Sequence, residues 1–546
     1  MSFLSRSRRL FTLKPLPLRP SESISLICRG KSITQDELFQ FTNGRFLTRD
    51  KQQRDARYVN FDLGALCAIA ASIGPSISRV REVEKLEGGF SKVLRIQREN
   101  GTELIAKISC PNAGLAKYAT ASEVAVLEYV REYTDIPVPS IYSWSAGASN
   151  PVGAEYIIME KAPGVQLFRV WDQIEERSKL AIIEQLAKWE SQLMSIEFPT
   201  YGCVYSRHSF PDSDRKTDLS TDIDRSGSYC VGRSGDPTWS TVPWDLASGP
   251  RLSLTEFGTA LAKREIYRVS RESESAHVVD HRGTAAEQIL LLETTVELMK
   301  ILGSHSDLLC HSKPTLCHPD LHLGDIFVSE DDPSKISAII DWRFAQIAPM
   351  FLQLRWPGFL APPKDYTAGI VSPKFPDDYE DMDDDEMKLV EYDFKQATIA
   401  KAYEVRSHLD NKDAYDAMNM PRGYRELFIG CGETWAEGPA PLRKCLIEVL
   451  NFWHDLNLPG ECPYAFSPEE IQKHAKQFEQ YREQHRAREF ALEYLDTDAD
   501  GWIPPEVDFA KKQQQNRTLL ALYVDRMSGQ KSREEMRKLW PFSEEI

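Results

Sequence analysis

Acidic and imidazole side chains are concentrated in residues 315–342, a stretch that reads as a short loop followed by two apolar runs. A carboxylate on a loop, or just after a buried hairpin, can reach a cleft while backbone pairing holds it still. Phosphoryl transfer uses this arrangement, because one carboxylate orients and deprotonates the attacking hydroxyl while two further oxygen ligands hold Mg²⁺ on the phosphates. The candidate side chains are, in order, His318, Asp320, His322, Asp325 and Asp341.

Two other interpretations of this stretch stay open at this point. It could be a polar hairpin turn whose acids are solvated. It could also be a transition-metal site, because His318 and His322 lie four residues apart with Asp320 between them. Pro319 and Gly324 disfavour the helix that would bring both imidazoles to one face.

The elements that must position these residues are predicted to be β-hairpins. The apolar runs Ile326–Val328 and Ile336–Ile340 flank a turn rich in Asp, Pro and Ser. Asp341 directly follows the second run. Upstream, two alternating apolar runs flank Asn100 and Gly101, the dipeptide that most strongly predicts a tight hairpin.

A glycine turn precedes this upstream hairpin. Glycines let backbone N–H groups approach an anion closely, as in the loops that cover nucleotide phosphates. Lys107, on the second arm of the hairpin, is expected to point to one face of the sheet, where it could bind α- and β-phosphates. An ordinary turn and an edge-strand lysine in solvent are the alternatives. The turn residues are Gly88, Gly89, Phe90 and Ser91.

A helix is predicted over residues 120–131. Thr120 and Glu123 have the spacing of a capping box, which would give Glu123 a structural role. Glu123 could instead form an ion pair with Lys107, and Glu128 is a second candidate for that pair.

Residues 155–164 read as a buried strand that ends at a Pro-Gly break. Backbone groups from Glu160 to Ala162 could pair with the edge of an adenine, and Met159 could form a wall of that pocket. The other interpretation is a strand that simply leaves a sheet.

Length and composition bound the class of protein. The chain has 546 residues, of which 42% are hydrophobic and 10% aromatic, enough for more than one folded domain. Its formal net charge of −16 argues against binding nucleic acid through a general basic surface. No apolar run approaches the ~20 residues that a transmembrane helix needs. Ten cysteines without any Cys-x-x-Cys pair are typical of free thiols in a reducing compartment.

Residues 1–30 differ in composition from the rest. They contain six arginines and lysines against one acidic residue, Glu22, together with serines and with apolar residues on one side of a helix. This composition is typical of a mitochondrial presequence, so we expect a mitochondrial protein. A disordered basic tail is the alternative.

Beyond residue 164 the pattern is mainly helical, apart from a polar, irregular insertion at 205–250 and an acidic segment at 361–388. Asp496–Ile503 matches the first eight positions of a calcium-binding EF-hand loop. However, Val507 stands where the bidentate glutamate belongs, and no partner loop is recognisable. A helix-to-helix turn is the favoured interpretation.

Together these stretches resemble the kinase-like phosphotransferase family that includes aminoglycoside and choline kinases. The family's loop His-x-Asp-Leu-His-x-x-Asn and its Ile-Asp-Trp strand end are matched by residues 318–325 and 340–342. The resemblance spans roughly residues 40–410 and is closer still to a group of fungal mitochondrial proteins. It implies an α+β, protein-kinase-like two-lobe fold, in which a small antiparallel sheet lobe with one helix joins a larger, mainly helical lobe.

Composition and this resemblance together divide the chain into five segments. We expect a nucleotide-binding lobe at 79–164 and a catalytic lobe at 165–360. The presequence at 1–30 and an N-terminal extension at 31–78 would precede them. An acidic segment and a helical C-terminal extension would follow at 361–546.

The resemblance also implies roles for individual residues. ATP and Mg²⁺ would be the cofactors, and an unidentified small molecule with a hydroxyl group would be the acceptor. Asp320 would be the catalytic base, with His318 organising the loop beside it. Asp325 and Asp341 would ligate Mg²⁺. The lysine of the hairpin would hold the phosphates with the helical glutamate as its ion-pair partner. The candidate nucleotide-binding residues are therefore Gly88, Gly89, Phe90, Ser91, Lys107, Glu123, Met159, Glu160 and Ala162.

Asp325 departs from the family pattern, which has Asn at this position. Amide and carboxylate oxygens can both ligate Mg²⁺, but a carboxylate adds a negative charge beside two others and the triphosphate. The alternative to an active phosphotransferase is therefore a pseudokinase, a nucleotide-binding or scaffold protein in mitochondria. A calcium-sensing adaptor is a more distant alternative.

Overall fold

The alternating apolar runs of the first third of the chain form the sheet of a smaller lobe. The computed structural model describes residues 24–247, 249–272, 283–369, 371–527 and 532–543. The elements of this lobe are β1 (Ser25–Cys28), β2 (Lys31–Ser32), α1 (Gln35–Phe39), β3 (Arg45–Phe46), α2 (Asp50–Asp55), α3 (Leu63–Ala71), β4 (Val80–Lys85), β5 (Ser91–Arg98), β6 (Glu103–Ser109), α4 (Tyr118–Tyr133), β7 (Ile141–Ser145) and β8 (Tyr156–Glu160). Seven strands pair in the order β2-β1-β4-β5-β6-β8-β7, and only β1 and β4 run parallel.

The alternation of side chains in β6 decides which face Lys107 occupies. Ala106 and Ile108 are buried in a cluster with residues of α1 and α3. Ile105 lies on the opposite face, against Val124 of α4. Lys107 shares that second face, so its ammonium group is directed towards α4.

The start of α4 differs from the expected capping box. The helix begins at Tyr118, and the preceding Lys117 has a φ of +73° and no side-chain cap. The hydroxyl of Thr120 donates to the carboxylate of Glu155 at 2.6 Å. The capping box predicted for Thr120 and Glu123 is therefore wrong, because both side chains have tertiary partners.

The end of the segment predicted as a presequence lies in the sheet of the smaller lobe. Residues 1–23 lie outside the described residues. Ser25–Cys28 forms β1, and the guanidinium of Arg29 donates to the side chain of Asn43 at 2.5 Å. A cleavage that leaves this sheet intact must therefore precede Ser25.

The larger lobe is mainly helical and also contains small sheets. The insertion at 205–250, expected to be irregular, contains a three-stranded sheet; that expectation is wrong. Its residues Tyr205 and Phe210 pack against Tyr118 at the start of α4. The elements of this lobe are β9 (Val165–Gln166), α5 (Glu176–Ser195), β10 (Cys203–Ser206), β11 (Thr217–Asp218), β12 (Tyr229–Gly232), α6 (Trp244–Ala247), α7 (Leu254–Glu272), α8 (Ala285–Leu302), α9 (Ser306–Cys310), β13 (Pro314–Leu316), β14 (Ile326–Val328), β15 (Ile336–Ile339), β16 (Ile347–Pro349) and α10 (Met350–Gln353).

The hairpin predicted after the acidic loop is formed by β14 and β15, and β9 adds a third strand. The N–H of Ile340 donates to the carbonyl of Asp325 at 2.9 Å. The loop and the strand end that carry the candidate carboxylates are therefore tied together by backbone pairing.

The C-terminal extension is helical and returns to the smaller lobe. α11 packs on α5, and α13 and α15 share a buried apolar cluster with α7 and α8. Beyond them, β17 pairs with β3. These elements are α11 (Asp384–Asp410), α12 (Lys412–Met418), α13 (Arg422–Gly432), α14 (Thr434–Glu437), α15 (Pro439–Asn451), α16 (Pro468–Leu495), β17 (Trp502–Ile503), α17 (Phe509–Met527) and α18 (Arg533–Leu539).

The arrangement of a sheet lobe, a helical lobe and a helical extension confirms the predicted α+β, protein-kinase-like fold. Within the described ranges, none of the helices combines the length and the apolar character needed to cross a membrane.

Gly164 at the junction of the lobes provides a test of this packing. Its φ is +88°, and a Cβ there would lie 2.0 Å from the carbonyl oxygen of Val328. We expect Gly164→Ala to lower the free energy of unfolding by about 3 kcal/mol in urea denaturation, from overpacking and backbone strain. Gly147→Ala, where a Cβ meets no atom within 4 Å, is the control. Equal stabilities of the two variants would contradict the packing described.

Candidate active site

Lys107 connects the two lobes through a pair of carboxylates. Its Nζ lies 2.5 Å from Glu123 Oε1 and 2.9 Å from Asp341 Oδ1. The lysine comes from β6, the glutamate from α4, and the aspartate from the end of the β14–β15 hairpin. Glu128, the other candidate partner, lies on the exposed side of α4. Three elements that are distant in sequence therefore meet at one ammonium group.

The contact between Lys107 and Asp341 shifts the pKa values of both side chains. Burial favours the neutral form of Lys107, but the carboxylates of Glu123 and Asp341 outweigh it and raise the pKa of the lysine. The ammonium group in turn lowers the pKa of Asp341 to about 2. The Asp341 side chain is still 57% exposed. A charged carboxylate is therefore held in place and remains within reach of a ligand.

Arg343 is a member of this cluster that the sequence analysis missed. Its side chain is 4% exposed, and its Nε lies 2.9 Å from Glu123 Oε2. Its two terminal nitrogens donate to the carbonyl of Phe90 and the hydroxyl of Ser109, at 3.2 and 3.3 Å. The sequence does place Arg343 two residues after Asp341, and this spacing allows both side chains to point into one cleft. Arg343 joins the strand end to α4 and to the glycine turn.

The glycine turn lies over this cluster. The N–H of Gly88 donates to the carbonyl of Ser91 at 2.9 Å, which closes the turn. The ring of Phe90 packs edge to face on Phe344, with 5.4 Å between ring centroids. The turn is therefore in contact with the chain segment that follows Asp341.

The two glycines of the turn are not required by the backbone geometry. Neither has a positive φ, and the left-handed residue of the turn is Glu87, with a φ of +58°. A Cβ at Gly89 would meet no atom within 4 Å. A bound group that approaches the backbone closely would explain glycine at this position.

His318 is held inside the acidic loop. Its Nε2 lies 2.9 Å from the carbonyl oxygen of Ile340, and its ring packs edge to face on Trp342. Burial lowers the pKa of His318 to about 4, although the bond to Ile340 and the charge of Asp341 oppose the shift. The ring is therefore neutral near pH 7 and donates its Nε2–H to the carbonyl, as an organiser of the loop would.

Asp325 is a buried carboxyl group. Its side chain is 7% exposed, and its Oδ2 lies 3.4 Å from Nε2 of His322. Burial, reinforced by the charge of Asp341, raises the pKa of Asp325 to about 8. Near pH 7 the group is therefore mostly protonated and neutral, and in that state it has the charge and shape of the asparagine that it replaces.

The two histidines of the loop have separate partners. The N–H of Gly324 donates to Nδ1 of His322 at 3.0 Å, whereas His318 is bonded to Ile340. No group of three His, Cys, Asp or Glu side chains arranged to hold a metal occurs in the described part of the chain. The geometry gives the transition-metal interpretation no support. A magnesium ion held by two carboxylates and by nucleotide phosphates requires no such group.

The residues expected around an adenine lie at the end of β8. Met159 is buried in a cluster with Val124 and Ile157, and Ala162 is buried just beyond the strand. The N–H of Glu160 donates to the carbonyl of Ser140 at 2.8 Å. The N–H of Glu160 is therefore already paired and is not available for a base edge.

A cavity of about 490 Å³ adjoins the exposed Asp320. Its walls combine aromatic side chains with Glu190 of α5, Asp236 of the insertion and, at the rim, Arg355. Burial raises the pKa of Glu190 to about 7, although a hydrogen bond from Tyr403 opposes the shift. The volume and the mixed lining suit a small polar molecule. Sequence analysis did not single out these wall residues, because they come from helices and loops without a motif.

The EF-hand-like loop has its own internal hydrogen bonds. Oδ1 of Asp498 accepts from the N–H groups of Asp500 and Trp502, at 3.0 and 2.9 Å. The carbonyl of Trp502 accepts from the hydroxyl of Thr497 at 2.7 Å. Its pairing partner, which the sequence did not indicate, is Arg45–Phe46 in the smaller lobe. The contacts are those of a structural turn.

The sequence profile of the phosphotransferase enzyme family matches residues 82–354, which is half of the chain. The chain belongs to this family. The match begins in β4 and ends after α10, so it contains Lys107, the acidic loop and Asp341.

Two fungal relatives align over most of the chain. A subtelomeric hrmA-associated cluster protein of Aspergillus fumigatus is 28% identical over 85% of this chain and 97% of its own length. The altered inheritance of mitochondria protein 9, mitochondrial, of Kluyveromyces lactis is 22% identical over 90% of each chain. Among solved structures, an aminoglycoside phosphotransferase in a ternary complex with streptomycin and ATP is 12% identical, covers 69% of this chain and 94% of its own, and has a TM-score of 0.35.

Gly89→Ala tests whether the turn is glycine because of a ligand. We expect the free energy of unfolding, followed by the melting temperature, to change by about 0.5 kcal/mol or less, because the added methyl group meets no atom. We expect ATP affinity, measured with a fluorescent analogue, to fall about tenfold. Gly101→Ala, at a φ of +84°, should do the reverse: lower stability by about 1 kcal/mol and leave affinity unchanged. Wild-type affinity in Gly89→Ala would contradict the assignment.

The raised pKa of Asp325 predicts an unusual pH dependence of stability. Its folded pKa of about 8 exceeds the unfolded value of about 3.9, so the folded state binds more protons and its stability falls as pH rises between these values. In metal-free buffer, the wild type should lose about 2 kcal/mol relative to Asp325→Asn between pH 6 and pH 8. Urea denaturation at each pH measures this difference, and parallel profiles of the two proteins would contradict the assignment.

Proposed function

We propose that this chain is an ATP- and Mg²⁺-dependent phosphotransferase that transfers the γ-phosphoryl group to a hydroxyl of a small molecule. The observation that carries the proposal is the contact of Lys107 with both Glu123 and Asp341, with Asp320 on the wall of the adjoining cavity. Membership of the phosphotransferase enzyme family supports this reaction class.

In the proposed reaction, Asp320 orients the acceptor hydroxyl and takes its proton as the oxygen attacks the γ-phosphorus, and ADP leaves. Lys107 and the N–H groups of the glycine turn bind the phosphates of the nucleotide. Arg343 and Glu123 hold the lysine in place. Asp325 and Asp341 would hold Mg²⁺, which would neutralise charge on the phosphate oxygens.

Nucleotide binding is proposed to rearrange the contact between Lys107 and Asp341. The ammonium group of Lys107 would then pair with the phosphates, and the carboxylate of Asp341 would pair with the metal. Glu123 stays with the lysine, because its second oxygen is fixed by Arg343. Asp325 would hold the metal as a carboxylate, so magnesium affinity should increase with pH up to about 8.

A pseudokinase is the second candidate function, and the buried Asp325 is the observation that favours it. A third carboxylate beside Asp320 and Asp341 would repel the triphosphate once it is ionised. In that case the fold would bind nucleotide or a protein partner without transferring phosphate.

Transfer or hydrolysis of γ-labelled ATP distinguishes the two candidates. Purified protein is incubated with a panel of hydroxylated metabolites, and Asp320→Ala is compared in parallel. An active enzyme should lose at least about a hundredfold of its turnover in that variant. If no label is released or transferred in an Asp320-dependent manner, the result favours the pseudokinase.

Asp325→Asn refines this experiment. We expect it to retain or increase turnover, because both oxygen types ligate Mg²⁺. A loss greater than about tenfold, or ~1.4 kcal/mol of transition-state stabilisation, would show that the carboxylate has a role of its own.

We also propose that the protein acts in mitochondria. The basic, acid-poor residues 1–30 support this location, as does the name of the Kluyveromyces lactis relative. Cell fractionation tests it, and recovery of the protein wholly outside mitochondria would contradict it.

A further inference from the structure

The glycine turn is held by Arg57. The Nε of Arg57 donates to the carbonyl of Gly89 at 3.1 Å, and its Nη1 donates to the carbonyl and the side-chain oxygen of Gln53, at 2.8 and 2.7 Å. The guanidinium group lies over the ring of Phe46, 4.7 Å from its centroid. The side chain is 8% exposed. A buried arginine with this many partners is held in place, and together with the side-chain amide of Asn112, which donates to the same carbonyl at 3.1 Å, it holds that carbonyl.

A second contact holds the other end of the turn. The carboxylate of Glu87 accepts from the N–H and the hydroxyl of Thr42, at 2.9 and 3.0 Å. The same carboxylate pairs with the fully buried Lys92 at 2.5 Å. Glu87 has a left-handed backbone, which these contacts stabilise. Residues 42–57 therefore determine where the turn begins and where its second glycine lies.

The C-terminal extension in turn fixes residues 42–57. The indole N–H of Trp502 donates to the carbonyl of Asn43 at 2.6 Å, and the N–H of Leu47 donates to the carbonyl of Gly501 at 2.8 Å. A carboxylate oxygen of Asp500 lies 3.6 Å from Nη2 of Arg57. These contacts span more than 400 residues of sequence, and all of them come from the loop that resembles an EF-hand.

We propose that this loop, Asp496–Ile503, positions the glycine turn for the nucleotide, and that Arg57 is the positioning residue that transmits its effect. The inference rests on the proposed function, since it assumes that the turn binds phosphates. The polar contacts of the Arg57 guanidinium group are with Gln53, Gly89 and Asp500, so it would act on the nucleotide through the turn. Its loss should therefore weaken nucleotide binding without changing the chemical step.

Four full-length variants test the proposal. Arg57→Met keeps the aliphatic stem over Phe46 and removes every polar contact of the guanidinium group. Asp500→Asn removes the charge at the exposed end of the ion pair, and Asp500→Glu restores it. Arg533→Met removes an arginine from an exposed ion pair with Asp525 and serves as the matched control.

Two readouts are measured for each variant: the affinity for a fluorescent ATP analogue and the amide hydrogen exchange of residues 86–91. We expect Arg57→Met to weaken binding about tenfold and to accelerate exchange in the turn, while exchange in β6 stays unchanged. Asp500→Asn should weaken binding only about threefold, because its carboxylate is half exposed and such pairs are weak. Asp500→Glu should recover affinity, and Arg533→Met should match the wild type. In an active preparation of Arg57→Met, the KM for ATP should rise, while kcat should stay within about twofold of the wild-type value.

The outcomes separate this inference from the proposed function. A wild type that binds nucleotide, together with an Arg57→Met variant that binds equally well, would overturn the positioning role. Exchange accelerated throughout the smaller lobe would also overturn it, since the arginine would then act on general stability. A wild type that binds no nucleotide would contradict the proposed function itself, while exchange in the turn would still report whether the loop positions it.

Discussion

The ammonium group of Lys107 between two carboxylates from different lobes is the interaction on which the rest of the site depends. Buried charges are tolerated only when they are paired and hydrogen-bonded, because desolvation of a lone ion is expensive. Glu123 is 1% exposed and binds both Lys107 and Arg343. Removing any member of this group would leave an uncompensated charge inside the protein. The cluster therefore fixes the sheet, α4 and the catalytic hairpin relative to one another.

The same electrostatic balance explains how a third acidic side chain is accommodated beside the cluster. Asp341 has a cation next to it and stays ionised, whereas Asp325 is buried beside Asp341 and stays protonated. Two carboxyl groups of the same type thus have pKa values several units apart, which is a common feature of catalytic sites. Under the proposed function, a metal ion bound by these two groups would displace the proton of Asp325.

Much of this arrangement could be predicted from sequence, and the failures have physical causes. The order of the glycine turn, Lys107, the acidic loop and Asp341 matches a known family, and that resemblance predicted the two lobes. Arg343 and Arg57 were missed because their partners lie far away in sequence and no local periodicity indicates them. The capping box at Thr120 failed because tertiary hydrogen bonds override a local preference. The small sheet of the insertion was missed because its strands are short and surrounded by polar residues.

By the proposed function, Lys107 and Asp341 form one half of a site whose other half is a magnesium-bound nucleotide. Calorimetric titration with a non-hydrolysable ATP analogue, with and without Mg²⁺, is the decisive measurement. We expect one binding site per chain, an affinity at least about tenfold higher with Mg²⁺, and loss of that increment in Asp341→Asn while Asp320→Ala retains it. Binding that is indifferent to Mg²⁺, or that survives unchanged in both Lys107→Met and Asp341→Asn, would contradict it.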